Sequence, residues 1–143
     1  MRSERLQPAS GTTGTFYYNG APITTASGYG LDTKDFDDVV IALNIGTVLG
    51  ATVTLSNSIY ESDSDDPTEA TLLSGAAFDD VGVSTDEILQ VASINCSETK
   101  RYLFLVTQIA RPTTTTPTVD MGAVAILSRA DSQPTSQTLD FDV

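Results

Sequence analysis

Residues 51–62, ATVTLSNSIYES, alternate cleanly between apolar and polar side chains. Val53, Leu55 and Ile59 fall on one face, and Thr52, Thr54, Ser56 and Tyr60 on the other. Asn57 is the odd residue on the apolar side. A period of two over this length specifies a half-buried strand. Immediately upstream, FDDVVIALNIGT (36–47) is a short β-branched run broken at Gly46, and it reads as a second strand. Immediately downstream, SDSDDPTE (62–69) is a polar block that ends the pattern.

Further along, RYLFLVTQIA (101–110) is the strongest apolar run. Its aromatic and β-branched content and its shortness suit a central strand covered on both faces. RPTTTTPT (111–118) interrupts it, and VDMGAVAILSRA (119–130) reads as the last strand. A connection of about eight residues suits a long hairpin loop, so the last strand is expected antiparallel to the one before. EILQVASINC (87–96) has both faces partly apolar. Ser84 and Glu87 have the spacing of a helix capping box, but the Val, Ile and Ser content and the stop at Asn95 favour a strand. Residues 70–84 follow neither period and remain ambiguous.

The ends are poorer in aliphatics. Residues 1–14 read as an arm, and 15–25 as a weak hairpin or an extended stretch. Asn19-Gly20 is the favoured pair for a two-residue hairpin turn, Phe16, Tyr17 and Tyr18 supply one strand, and Pro22 demotes its partner to an edge. DSQPTSQTLDFDV (131–143) reads as a polar tail with a late apolar hook at Leu139, Phe141 and Val143. The expectation is an all-β, antiparallel β-sandwich or barrel-like domain of about six to eight strands, with extended N- and C-terminal arms. Residues 1–30 form the N-terminal arm with a possible hairpin, 31–130 the core and 131–143 the C-terminal tail. At 143 residues and 15.1 kDa the chain suits one core.

Charge narrows the function. Nineteen acidic residues against seven basic ones give a net charge of −12. The seven bases are dispersed, so neither nucleic acid nor an anionic membrane is an expected partner. With no His, a His-based triad is impossible. One Cys permits no intrachain disulfide, and no thiolate metal cluster is expected. No apolar run approaches the ~20 residues of a membrane span. The opening MRSERLQPAS is polar throughout, so synthesis in a cytoplasm without export is expected.

The remaining candidates for chemistry are weak. Glu61, Asp63, Asp65 and Asp66 resemble a calcium loop, but Asp66 stands where an EF-hand needs Gly and Leu72 where it needs Glu. A solvated turn is the simpler reading. Asp37-Asp38 and Asp79-Asp80 are adjacent pairs, whose side chains point to opposite faces of a strand. Cys96 reads as a small core hydrophobe. Lys100-Arg101 reads as a strand entrance whose charge offsets nearby acids, here Glu98. No enzyme activity and no cofactor are expected.

Three stretches carry a family resemblance. FDDVVIALNIGTVLGATVTLSNSIYESDSDD (36–66) resembles the front half of small β-rich head proteins of tailed bacteriophages: a Phe–acidic–Val–Val start, a Gly turn, and a second strand ending in Glu-Ser-Asp. ETKRYLFLVTQIA (98–110) resembles their Lys–Arg–Tyr strand, and TVDMGAVAILSRA (118–130) their closing strand with its small residues. The resemblance covers residues 35–130. It implies an antiparallel β core that decorates or cements an icosahedral capsid from outside, commonly as a trimer. The implied partners are the major capsid protein and other copies of the chain, and the implied location is the virion. The longer N-terminal region and the acidic tail depart from the pattern.

The arms are the expected contact elements. Fixing an extended residue costs about 1–2 kcal/mol of backbone entropy, so ordered arms need a neighbouring surface. Phe16, Tyr17 and Tyr18, with Leu139, Phe141 and Val143, are aromatic and aliphatic anchors in polar surroundings, the composition of interface hot spots. Two other roles fit less well: a tail or head–tail joining component, and a carbohydrate- or calcium-binding β-sandwich module. The lack of Trp and the loop spacing count against the second.

Overall fold

The computed structural model describes residues 2–6, 16–18, 21–22, 30–49, 53–82, 87–110 and 118–129. They form strands β1 (Arg2–Leu6), β2 (Phe16–Tyr18), β3 (Ala21–Pro22), β4 (Leu31–Asp32), β5 (Asp38–Leu49), β6 (Thr54–Ser62), β7 (Thr71–Ala77), β8 (Val81–Gly82), β9 (Ile88–Asn95), β10 (Tyr102–Ala110) and β11 (Thr118–Ser128). Short 3-10 turns occupy Pro67–Glu69 and Cys96–Glu98.

The strands assemble into two antiparallel sheets. The first has the order β1-β11-β5-β9 and the second β3-β2-β10-β6-β7, with β4 added beside β10 and β8 beside β6. The alternation read in residues 51–62 sets the core. Val53, Leu55, Asn57 and Ile59 all point inward and are buried. Val39, Ile41, Leu43 and Ile45 of β5 do the same from the first sheet, with Ala123, Ala125 and Leu127 of β11 beside them. Leu103 and Leu105 of β10 complete the layer between the sheets. Each such aliphatic contributes roughly 1.5–3 kcal/mol by leaving water, so the layer decides which face of every long strand turns inward. The result is an all-β sandwich.

The central strand is β10, covered on both faces as its composition implies. Leu103, Leu105 and Thr107 face the first sheet, while Phe104 and Val106 are buried on the opposite side against Tyr60, Ala70 and Tyr102. One polar pair lies inside the sandwich. Thr107 Oγ1 donates to Asn57 Oδ1 at 2.8 Å across the β10–β6 register, and the Asn57 amide Nδ2 has no partner among the described residues. Among the described residues, the side chain of this odd residue of the alternating stretch makes that one cross-strand bond, while its backbone O accepts from Phe78 N at 2.9 Å.

Several expectations change. β11 does not pair with β10. It runs antiparallel to β5 from Thr118↔Leu49 to Ser128↔Asp38, in the other sheet. The expected hairpin is a crossing between sheets, because alternation fixes which face a strand buries and not which strand it joins. Residues 2–6, read as part of an arm, are an edge strand paired with β11 from Arg2↔Leu127 to Leu6↔Ala123. The ambiguous stretch 70–84 contains β7 and β8; its period is obscured by a register shift opposite Ser58–Tyr60 and by Gly75 at φ +77°. Residues 88–95 are a strand, and Glu87 at φ +56° precludes a helical start there. β2 and β3 pair at Tyr18↔Ala21 and Tyr17↔Pro22, flanking the Asn19-Gly20 dipeptide.

Candidate interaction surface

Three neighbouring strands of the first sheet, β11, β5 and β9, form an apolar patch on its outer face, and β1 lies beside β11 with Arg5 in register with Val124 and Ser3 with Ile126. Inward residues of β11, β5 and β9 fill the core, so the alternate residues must face out. Register places them in rows: Ile126–Val40–Ser93, then Val124–Ala42–Val91, then Gly122–Asn44–Leu89. Leu89 is 67 % exposed, Val91 59 %, and Val124 and Ile126 37 % each. None of these nine residues is ionisable. Along the strands, Asp38 follows beyond the first row, and Asp120 of β11 and Glu87 beyond the last.

A shallow groove runs over the third row. Ala42, Gly46 and Gly122 give it a low floor, and Leu89 and Val124 stand at its sides. Small side chains there let another polypeptide approach the backbone. From strand spacing and rise, the three rows cover roughly 200–300 Å² of sheet. A stable interface buries ~800 Å² per partner, so this face has the size of one contact among several. The expected chemistry is burial of apolar area, at about 25 cal/mol per Å².

The acidic loops are engaged in holding the fold. Asp65 Oδ1 accepts from Gly30 N at 2.6 Å and ties the start of β4 to the β6–β7 connection. Asp66 Oδ1 accepts from Thr68 N at 2.9 Å and Thr68 Oγ1 at 2.7 Å, capping the 3-10 turn. Those two bonds hold its carboxyl below the usual carboxylate range. Glu61 Oε2 accepts from Lys100 N at 3.0 Å, and Glu69 Oε2 from Ser64 Oγ at 2.7 Å. Among the described residues, no three carboxylates or thiols converge as a metal site.

Arg101 is paired with Asp32 and not with Glu98 as its sequence neighbourhood suggests. Its Nε and Nη2 donate to the two Asp32 oxygens at 2.9 and 2.7 Å, because β4 lies beside β10. This fork raises the guanidinium pKa further. Thr33 closes the same corner, its N and Oγ1 both donating to Arg101 O. Cys96 is buried at the base of the sandwich. Burial first, then Asp38 and Asp37, push its thiol pKa up, so the thiolate is disfavoured and Cys96 serves as a packing residue.

The six residues expected to make contacts fall apart in space. Phe16, Tyr17 and Tyr18 form β2 in the second sheet, opposite Gln108, Thr107 and Val106 of β10. Leu139, Phe141 and Val143 lie outside the described residues. Sequence reasoning missed the outer face of the first sheet. The available signal was in residues 87–96, where both faces are partly apolar although only one can enter the core. No protein-family model, no curated protein and no solved structure matches the chain.

Proposed function

We propose that this chain is a non-enzymatic virion protein that decorates the outer surface of a bacteriophage capsid and bridges subunits of the major capsid protein. The observation that carries the reading is the patch of nine uncharged outward residues on β11, β5 and β9, with Leu89, Val91, Val124 and Ile126 exposed, in a chain of net charge −12. A patch whose nine central residues carry no ionisable group, on an otherwise acidic molecule, offers a protein partner an approach with little charge desolvation. The resemblance of residues 36–66, 98–110 and 118–130 to small phage head proteins supplies the class of partner.

The physical logic is additive. One face of this size binds weakly, and many copies on a repeating shell hold together what single contacts do not. Acidic loops such as the β6–β7 connection of the second sheet would keep a densely covered particle soluble. The carboxylates of Glu61, Asp65, Asp66 and Glu69 are spent on loop geometry, which favours a scaffold role for them over catalysis.

Co-sedimentation with purified heads lacking any decoration protein tests this. The expected result is saturable binding at a fixed ratio to shell subunits, abolished by Val124→Lys and by Ile126→Lys while the circular dichroism spectrum is unchanged. Absence of binding by the wild-type chain, or binding by both variants with wild-type affinity, would overturn the proposal.

A further inference from the structure

Sheet edges expose rows of unpaired N–H and C=O groups, and β proteins protect them with charges, prolines, bulges or short strands. Of the four edges that the described strands form, three carry such a device. β1 is Arg-Ser-Glu-Arg-Leu, with three charges in five residues. β3 is two residues long and ends in Pro22. β7 is bulged against β6 and contains Gly75 in a left-handed conformation. The fourth edge, β9, has none. Ile88–Asn95 is eight residues long and contains no charge, proline or glycine, and its register with β5 is unbroken from Ile45↔Ile88 to Asp38↔Asn95.

Among the described residues, nothing pairs with the outer edge of β9. A cleft of about 580 Å³ lies between Val91–Asn95 of β9 and Leu73–Phe78 at the corresponding edge of the second sheet. Only one side chain of β9 reaches across, with Gln90 Nε2 donating to Asp79 O at 2.9 Å among the described residues. On the outer side, Leu89 and Val91 are the two most exposed large apolar residues of the described chain.

We propose that β9 pairs antiparallel with β9 of a second copy about a two-fold axis, joining the two four-stranded sheets into one. Charge selects this occupant. A basic partner would be drawn to the acidic loops, not to a strand without an ionisable group. Another copy is repelled by the acidic loops but not along this strand, and it brings an edge of the same eight uncharged residues, so that pairing leaves neither edge open. Antiparallel self-pairing is isologous and closes at two, which differs from the trimer that the phage resemblance implies. It sets Leu89 and Val91 of both copies side by side, so the outer apolar face becomes continuous across the axis. It also brings Glu87 towards Glu98 of the partner subunit at each end. The contact is therefore opposed by like charges and strengthened by salt. The pairing does not rest on capsid binding, and its test contains no capsid.

Sedimentation velocity of the full chain over a concentration series decides the matter. A monomer–dimer equilibrium is expected. It should shift towards dimer as salt rises from about 0.01 to about 0.1 M, where the screening length falls from ~30 to ~10 Å. Val91→Lys, at an exposed position, should abolish the dimer, and Val124→Lys, two strands from the edge, should leave it intact. Amide hydrogen exchange of the wild-type chain adds a measurement that needs no variant: protection of residues 88–95 should rise with protein concentration. A monomer at every concentration, a trimer, a dimer indifferent to Val91→Lys, or association weakened by salt would each overturn the pairing. None of these outcomes would bear on binding to heads, which is read with Val124→Lys.

Discussion

The outer faces of the two sheets carry apolar residues of the same kind and meet opposite fates. On the second sheet, Phe104 and Val106 are 1 % and 4 % exposed, with Tyr60, Ala70 and Tyr102 packed against them. On the first sheet, Leu89, Val91, Val124 and Ile126 stand in water. The covered face has a close backbone approach, where Gly30 lies against the Phe104 and Tyr102 rings. The open face has Gly122 with nothing near it. An apolar sheet face that the described residues leave exposed is the feature that a binding partner would use.

The largest expected effect sharpens this contrast through stability. Phe104→Ala should cost about 3–5 kcal/mol, the usual range for deleting a buried aromatic. Val91→Ala should stay within roughly 0.5 kcal/mol, as exposed substitutions do. Urea unfolding of the two variants at a concentration where the chain is monomeric checks both. Equal losses would erase the distinction between the faces.

The glycines give a second comparison. A Cβ at Gly30 would sit 2.7 Å from Asp65 Oδ1 and 2.9 Å from atoms of Phe104 and Tyr102. Gly30→Ala should therefore destabilise by about 1–3 kcal/mol through overpacking. Gly122→Ala meets nothing within 4 Å and should be neutral or stabilise by up to about 1 kcal/mol, by restricting the unfolded chain. Thermal melts of the pair are sufficient.

Between the sheets, the Asn57–Thr107 pair gives an effect of similar or smaller size. Thr107→Val removes the one side-chain partner of a buried amide and should cost about 1–3 kcal/mol. The double variant Asn57→Leu/Thr107→Val should recover most of that loss, since no buried polar group is then left unpaired. A double-mutant cycle in urea measures the coupling.

Acid titration gives the smallest effect and probes the loop beside the covered face. The Asp66 carboxyl is held below its usual value of 3.8 by two bonds from Thr68. A lowered folded-state pKa adds stability above the unfolded value, and that stability is lost as pH falls through the folded value. Asp66→Asn should thus lower the urea midpoint at neutral pH and converge with the wild type at the acid end. Parallel pH profiles would remove Asp66 as a contributor.

Much of the fold was legible in the residues. Alternation in 51–62 correctly separated Val53, Leu55 and Ile59 from Thr54, Ser56 and Tyr60, and it placed Asn57 in the core. The unbroken run in 101–110 announced a strand covered twice. Strand order was not legible. Residues 119–130 carry the same period whether they join β10 or β5, and only the three-dimensional layer of Ile41, Leu43, Ala123 and Ala125 selects β5. The candidate interaction surface was the least legible part. Val124, Ile126, Leu89 and Val91 come from two distant segments, and β5 lies between them in space. Sequence shows that residues 87–96 are apolar on both sides, but not that one side is left open.

The most direct test is the orientation of the molecule on its partner, seen by cryo-electron microscopy of heads carrying the chain. The account predicts that the rows Ile126–Val40–Ser93 and Val124–Ala42–Val91 face the shell, with the sheet bearing Phe104 turned away. A reconstruction in which the Phe104 sheet lies against the shell and Leu89, Val91, Val124 and Ile126 remain in solvent would contradict it.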